Sequence, residues 1–413
     1  MFMSADERWK LRRKLYFQML QETKCNEDHM RLVEAETAQL IHDIAIQPES
    51  IMFHPGRMSN SITMSMVYGI RTPRYDTPHY VKLQAIMTEL SSIGEIGATP
   101  PVDLLSILKY LPGKLWGNWK TRAVNLRQAI INLHSPLVDE VLQRREKIGK
   151  SDTFLDGVFD RQDKLQLTRN EIDIMCGNLL EGGTDTIATT LLSLCQIMAT
   201  YPDLVAEAQS EIDSVLDEYT LPSWEHYKKL PMVSMIVKEI IRWRPPAPSA
   251  FPHALASDDE IDGMKIPKGS TVVLNIWGMH HDPARYPNPE NFDPFRFKNQ
   301  TEPASVYTNS GHDKRDHFGY GAGRRICPGI HLAERALFLG AARILWAFTI
   351  KHKVDGNGKQ VPIDLEPATA YRDGFLNQCR PFEVDIKVRS EKRGEAIVAA
   401  AKKAEVEIFS AYS

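Results

Sequence analysis

Residues 317–329 read His317-Phe318-Gly319-Tyr320-Gly321-Ala322-Gly323-Arg324-Arg325-Ile326-Cys327-Pro328-Gly329 and run straight into a helical pattern. Glycines at alternate positions, Gly319, Gly321 and Gly323, let the backbone turn tightly and approach another group closely. Pro is favoured at the first helical position. Beyond it, Ile330, Ala333, Leu337, Ala341 and Leu345 keep the spacing of one apolar helix face. Cys327 is therefore expected at or near the N-cap of a buried helix, where partial positive charge favours the thiolate. Arg324 and Arg325 add to that field. A cysteine in such a setting is a metal ligand or a nucleophile.

Other chemistries fit less well. A zinc site needs further Cys or His at ligand spacing, and no C-x-x-C occurs. A dinucleotide loop needs G-x-G-x-x-G after an apolar strand, whereas here the spacing is G-x-G-x-G and the lead-in Gly311–Asp316 is polar. A buried free thiol explains neither the glycines nor the arginines. The stretch resembles the heme-binding loop of the cytochrome P-450 family: an aromatic, two residues, Gly, one residue, Arg, one residue, Cys, one residue, Gly. Tyr320, Gly323, Arg325, Cys327 and Gly329 fill those places in order, with Tyr320 where Phe is usual. The resemblance implies that Cys327 is the axial thiolate of a heme b iron and favours O–O cleavage there, the glycines letting backbone N–H groups approach the sulfur.

The second informative stretch runs from Leu167 to Pro202. Thr168 with Glu171 spells a capping box and Tyr201-Pro202 ends the pattern. That is a helix of roughly 30 residues, about 45–50 Å long, apolar nearly all round as in a buried helix. In its middle lies Glu181-Gly182-Gly183-Thr184-Asp185-Thr186. Adjacent glycines in a buried helix cost on the order of 1–2 kcal/mol, and a buried carboxylate and hydroxyl are costly unless paired. A kink with a satisfied polar cluster is one reading. The resemblance implies another, an oxygen groove: Gly182 and Gly183 open space over the iron, Thr186 hydrogen-bonds the distal oxygen, and Asp185 relays protons. The residue after Thr186 is Ile187, where the family often has Thr or Ser.

Further matches extend the resemblance. Trp9 and Arg13 have the W-x-x-x-R spacing of a helix that meets the heme propionates, and an i, i+4 pair shares a face. Glu239 and Arg242 form an E-x-x-R pair that, alone, reads as a surface ion pair. The family pattern joins them to Arg296 in Phe292-Asp293-Pro294-Phe295-Arg296-Phe297, a buried triad locking the core around the heme loop. Arg244-Pro245-Pro246-Ala247-Pro248 cannot be helical. The resemblance puts Ala247, Ala250 and Phe251 in the substrate pocket with Phe375 and Leu376, and His253 on a propionate. Residues 261–273 read as a hairpin of short strands. Helical patterns cover Asp6–Gln21, Leu104–Tyr110 and Trp119–Lys150, and the tail from Ser390 is Ala- and Lys-rich and helical in pattern.

The chain has 413 residues, 43% hydrophobic and 25% charged, an ordinary globular composition. Lys plus Arg number 50 against 53 Asp plus Glu, which excludes a nucleic-acid-binding charge pattern. Five scattered cysteines argue against a disulfide framework and for a reducing compartment. No apolar run is long enough to span a bilayer. The fold expected is mainly α with small β-sheets, a cytochrome P-450 fold lacking its N-terminal anchor, first helices and most of the first sheet. Residues 1–389 read as one heme-thiolate monooxygenase domain, incomplete at its N-terminus, and 390–413 as the helical tail. The resemblance implies a monomer of the microsomal, fungal type, at the cytosolic face of the endoplasmic reticulum in the family but cytosolic or peripheral without an anchor. It would insert one atom of O₂ into a hydrophobic organic substrate in secondary metabolism or detoxification, with electrons from an NADPH-dependent flavoprotein reductase. Lys10, Arg12 and Lys14 offer a basic docking face. Two rivals stay open: a heme-thiolate isomerase or dehydratase, and a truncated non-catalytic remnant.

Overall fold

The computed structural model describes residues 6–95, 97–102 and 105–412. Among these, ten helices have thirteen or more residues: α1 (Glu7–Leu20), α2 (Met30–Ile46), α3 (His54–Tyr68), α4 (Pro78–Gly94), α5 (Trp119–Ile148), α6 (Arg169–Thr200), α7 (Pro202–Val215), α8 (Pro231–Trp243), α9 (Ile330–Ala347) and α10 (Glu391–Glu407). Strands β1 (His253–Ala254), β2 (Asp259–Ile261), β3 (Met264–Ile266), β4 (Thr271–Val272), β5 (Phe348–His352) and β6 (Val384–Val388) form three two-stranded antiparallel sheets, β1–β4, β2–β3 and β5–β6. The architecture is mainly α with small sheets, as the sequence implied.

The long helix α6 organises the rest. Its start is fixed by the capping box: the Glu171 N–H donates to Thr168 Oγ1 and the Thr168 N–H to Glu171 Oε2 at 2.9 Å. It stops where Pro202, at the first position of α7, cannot continue it. α3 lies along its middle, Ser59 donating to the Thr184 carbonyl at 2.7 Å and Asn60 to the Thr184 hydroxyl at 3.3 Å. α9 packs on the other side, buried over nearly its whole length, with Leu337, Ala341 and Leu345 among the core residues. β2 and β3 turn through Asp262 and Gly263, both at positive φ (52° and 78°), the geometry of a tight two-residue hairpin.

Three expectations need correction. The helix expected over Leu104–Tyr110 is a 3₁₀ turn over Ser106–Tyr110, and Leu104 lies outside the described residues. Cys327 is not a helix cap: α9 begins at Ile330 with Gly329 as its N-cap. Pro328 and Gly329 intervene, so Cys327 stands near the cap rather than at it. Arg12 does not belong to a solvent face: it is buried and bridges to Glu171 at 3.2 Å, pinning α1 to the start of α6. Lys10 and Lys14 remain exposed. The tail helix α10 docks on α2, where Ala35, Ala404 and Phe409 pack together, and Arg393 binds the Trp346 carbonyl at 3.0 Å.

Candidate active site

The cysteine loop folds back on itself. The Cys327 N–H donates to the Tyr320 carbonyl at 2.8 Å, and Ile326 N–H to Gly323 at 3.1 Å. Gly321 and Gly323 take φ of 77° and 61°, which an L side chain resists. Gly319 is needed for close approach: a Cβ there would lie 2.2 Å from Ile241 Cγ2 on α8. The loop is therefore pressed onto α8, with Cys327 half-buried within it.

α1 lies across the loop and brings four predicted residues together. Arg13 donates to the Ile326 carbonyl at 2.5 Å, and Arg325 sits 4.7 Å over the Trp9 ring. Burial pushes the Cys327 thiol above its usual range, opposed by the Gly329 N–H on the sulfur and the charge of Arg13. Burial lowers Arg13, Cys327 raises it and the neighbouring Arg325 lowers it again. The sequence expected a field that favours the thiolate outright; from the protein groups alone desolvation outweighs it, and a bound cation would complete the stabilisation. Among the described residues Arg13 forms no ion pair. A cationic pair beside a soft sulfur ligand is what an iron porphyrin, with its two carboxylates, requires. Arg13, Trp9, Arg325, Tyr320, Gly323, Cys327 and Gly329 thus form one setting that fits heme. His253 stands apart, exposed on β1 opposite Val272.

The middle of α6 is the second wall. Gly182, Gly183, Asp185 and Thr186 are half-buried within a helix whose remaining middle is mostly buried. Thr186 Oγ1 donates to the Gly182 carbonyl at 3.0 Å, a back-bond to i−4 that bends helices. Burial pushes Asp185 up to about 6, with the Gln378 amide and Arg372 opposing. The neighbouring Glu181 is likewise raised to about 6 by burial. Gly183 does not open a groove as expected: a Cβ there would fall 2.6 Å from Thr63 Oγ1 on α3, so its missing side chain admits a packed helix.

The residues expected to line a pocket come from two segments. Ala247 and Ala250 lie half-buried in the proline-rich loop, Ala250 at φ 48°. Phe251 and Phe375 rings meet with centroids 4.5 Å apart. Phe375 and Leu376 belong to a turn clamped by Ser91 of α4, whose carbonyl accepts the Phe375 N–H at 2.9 Å and whose hydroxyl accepts the Leu376 N–H at 3.0 Å.

Behind the loop, Arg242 grips Glu239 with two hydrogen bonds of 2.7 Å, and Arg296 Nε lies 3.4 Å from Glu239 Oε1. Glu239 also accepts the Asp293 N–H at 2.9 Å, so all three polar segments meet at one carboxylate. Burial raises Glu239, with Arg242 opposing. Sequence reasoning missed the link onward. His280 places Nδ1 3.0 Å from the Arg242 carbonyl and accepts the Phe318 N–H on Nε2 at 2.8 Å, joining the triad to the cysteine loop. Its burial keeps it neutral, which that accepting nitrogen requires. It also missed Gln378, whose amide reaches Asp185 at 2.5 Å. No local signal marks either residue, because each acquires its meaning from an element distant in sequence.

Comparison with known proteins agrees with this arrangement. The cytochrome P450 family pattern matches residues 1–371. Cytochrome P450 monooxygenase anuE of Penicillium roqueforti is 64% identical over 413 residues, spanning 100% of this chain and 84% of the relative. Cytochrome P450 monooxygenase yanC of Aspergillus niger is 43% identical over 417 residues, spanning 100% and 78%. A zebrafish cytochrome P450 solved with abiraterone superposes with a TM-score of 0.70 at 21% identity, covering 94% of this chain and 84% of that one, and shows the same fold. A sulfur on a glycine-bent loop, an arginine pair beside it and a long helix with an acid–alcohol pair, together with these matches, establish that the chain belongs to the cytochrome P450 family and is a heme-dependent monooxygenase working with O₂, an organic substrate and a redox partner.

Proposed function

We propose that the chain, one domain through residue 389 with a docked C-terminal tail, binds heme b through Cys327 and oxygenates a hydrophobic or aromatic small molecule in fungal secondary metabolism or detoxification. Electrons come from an NADPH-dependent flavoprotein reductase, and the enzyme acts as a monomer at the cytosolic face of the endoplasmic reticulum. No described helix is long and apolar enough to cross a membrane. The observation that carries the reading is the placing of Arg13 on the Ile326 carbonyl and of Arg325 over Trp9, beside Cys327 on its glycine-bent loop.

Bound there, the heme supplies O₂ binding and its reductive activation. The chain's own residues do the rest. The Gly329 N–H donates to the sulfur and tempers its basicity. Arg13, Arg325 and Trp9 would receive the two carboxylates. Thr186 donates its hydrogen to the Gly182 carbonyl, so its oxygen can accept a hydrogen bond and, by rotating, the hydroxyl can donate one to a bound oxygen. Asp185, raised to about 6, exchanges protons near neutral pH and can pass them inward. Phe251, Phe375, Leu376, Ala247 and Ala250 line an apolar pocket that excludes bulk water. The intact Thr186 favours oxygenation over rearrangement or dehydration of a peroxide.

The test is Thr186→Ala in the reconstituted system. The carbon monoxide difference band should persist while electrons divert to hydrogen peroxide. Unchanged product per NADPH would remove Thr186 from the proton path.

A further inference from the structure

We propose that Gln378 is a positioning residue for proton delivery: its side-chain amide holds the Asp185 carboxyl from the turn that lines the substrate pocket. This rests on the reading of Asp185 as a proton relay. Gln378 Nε2 donates to Asp185 Oδ2 at 2.5 Å, which occupies one carboxyl oxygen and leaves Oδ1 for proton exchange. The amide comes from a fixed origin. The Arg372 N–H donates to the Gln378 carbonyl at 2.8 Å, inside the bridge that pairs Tyr371 with Cys379. Asn377 is tied twice: its N–H donates to the Pro246 carbonyl at 2.9 Å, and its carbonyl accepts from Thr189 of α6 at 2.8 Å. Ser91 holds the other end, where Gly374 at φ 147° passes so close that a Cβ would lie 2.4 Å from Ser91 Oγ.

The turn therefore carries two functions within four residues. Phe375 and Leu376 meet what enters the pocket, and Gln378 orients the acid that serves it. Substrate pressing on the first pair is transmitted through a stiff backbone to the second. The other charged and titratable groups around Asp185 do not replace this contact. Arg372 acts on it through its charge, from an exposed position. Tyr80 on α4 feels the Asp185 charge, has its hydroxyl bonded by Gln84 at 2.8 Å, and is backed by Arg57, which pairs with Glu36 and Asp43. Glu181 lies one turn earlier on α6.

The experiment compares Gln378→Met, which keeps the volume and removes the donor, and Gln378→Ala with Asp185→Asn, all as holoenzymes. Two quantities are read: peroxide released per NADPH across pH, and the infrared C=O band of the Asp185 carboxylic acid, identified by its loss in Asp185→Asn. Gln378→Met should keep the carbon monoxide band. It should raise the midpoint of the Asp185 band by about one pH unit, because a hydrogen bond favouring the charged form is gone. Peroxide release should rise several-fold, with its pH profile displaced the same way. If Asp185→Asn alters the peroxide ratio but both Gln378 variants keep the wild-type midpoint and ratio, Gln378 has no positioning role. If Asp185→Asn itself leaves the ratio unchanged, the relay reading falls and this proposal with it.

Discussion

Gly183→Ala tests why the central helix carries adjacent glycines. On propensity alone the alanine should stabilise α6 by about 1 kcal/mol. The structure opposes this. The new Cβ would lie 2.6 Å from Thr63 Oγ1 and 3.4 Å from its Cγ2. Thr63 cannot yield easily: it is buried on α3, its hydroxyl donates to the Ser59 carbonyl at 3.0 Å, and its β-branch restricts rotation. Overpacking of this kind costs about 1–3 kcal/mol, so Gly183→Ala should lose its propensity gain and be destabilising by up to about 2 kcal/mol. Thr63→Ala removes both clashing atoms. In that background Gly183→Ala should recover its propensity gain, giving a coupling of about 1–3 kcal/mol between the two sites. The assay is denaturant unfolding of the four holoenzymes by circular dichroism. If Gly183→Ala destabilises equally in both backgrounds, the helix contact is not the reason for the glycine.

Glu334 supplies a pH test. Burial pushes it up to about 7, against hydrogen bonds from Ser305 and Ala304. A carboxyl raised in the folded state binds more protons there than in the unfolded chain, so its contribution falls as pH rises from about 4.5 to 7. Glu334→Gln should therefore gain stability over wild type above pH 7, on the order of 2 kcal/mol, and lose the advantage below about pH 4.5; urea midpoints at several pH values check this. Glu239→Ala should be far more damaging. It strands Arg242, buried and bonded to the carboxylate through two nitrogens, and frees Arg296 and the Asp293 N–H. Breaking a buried pair from one side costs about 3–5 kcal/mol, visible as loss of folded protein or of retained heme.

Much of this site was legible because its chemistry is written in short, rigid stretches. The glycines around Cys327, the Thr168–Glu171 cap and the prolines at 202, 231, 245, 246 and 248 each act on their own backbone, so the sequence declares them. The triad was readable because its spacing is a family pattern. What escaped was set by tertiary approach. Gly183 looked like a groove residue until Thr63 occupied its space. Arg12 looked solvated until α1 met Glu171. Cys327 looked like a cap because Pro328 often opens a helix, whereas here the chain makes one more turn before Ile330. His280 and Gln378 had no pattern at all: each is a polar side chain in a loop, defined by partners 38 and 193 residues away.

The central claim is that iron is bonded to the sulfur of Cys327. The carbon monoxide difference spectrum of the reduced, heme-loaded chain reads that bond directly. The wild-type protein should give the red-shifted band of a thiolate-ligated heme, and Cys327→Ala should abolish it while Cys25→Ala and Cys379→Ala, at buried sites away from the loop, retain it. A red-shifted band that survives Cys327→Ala would contradict the account.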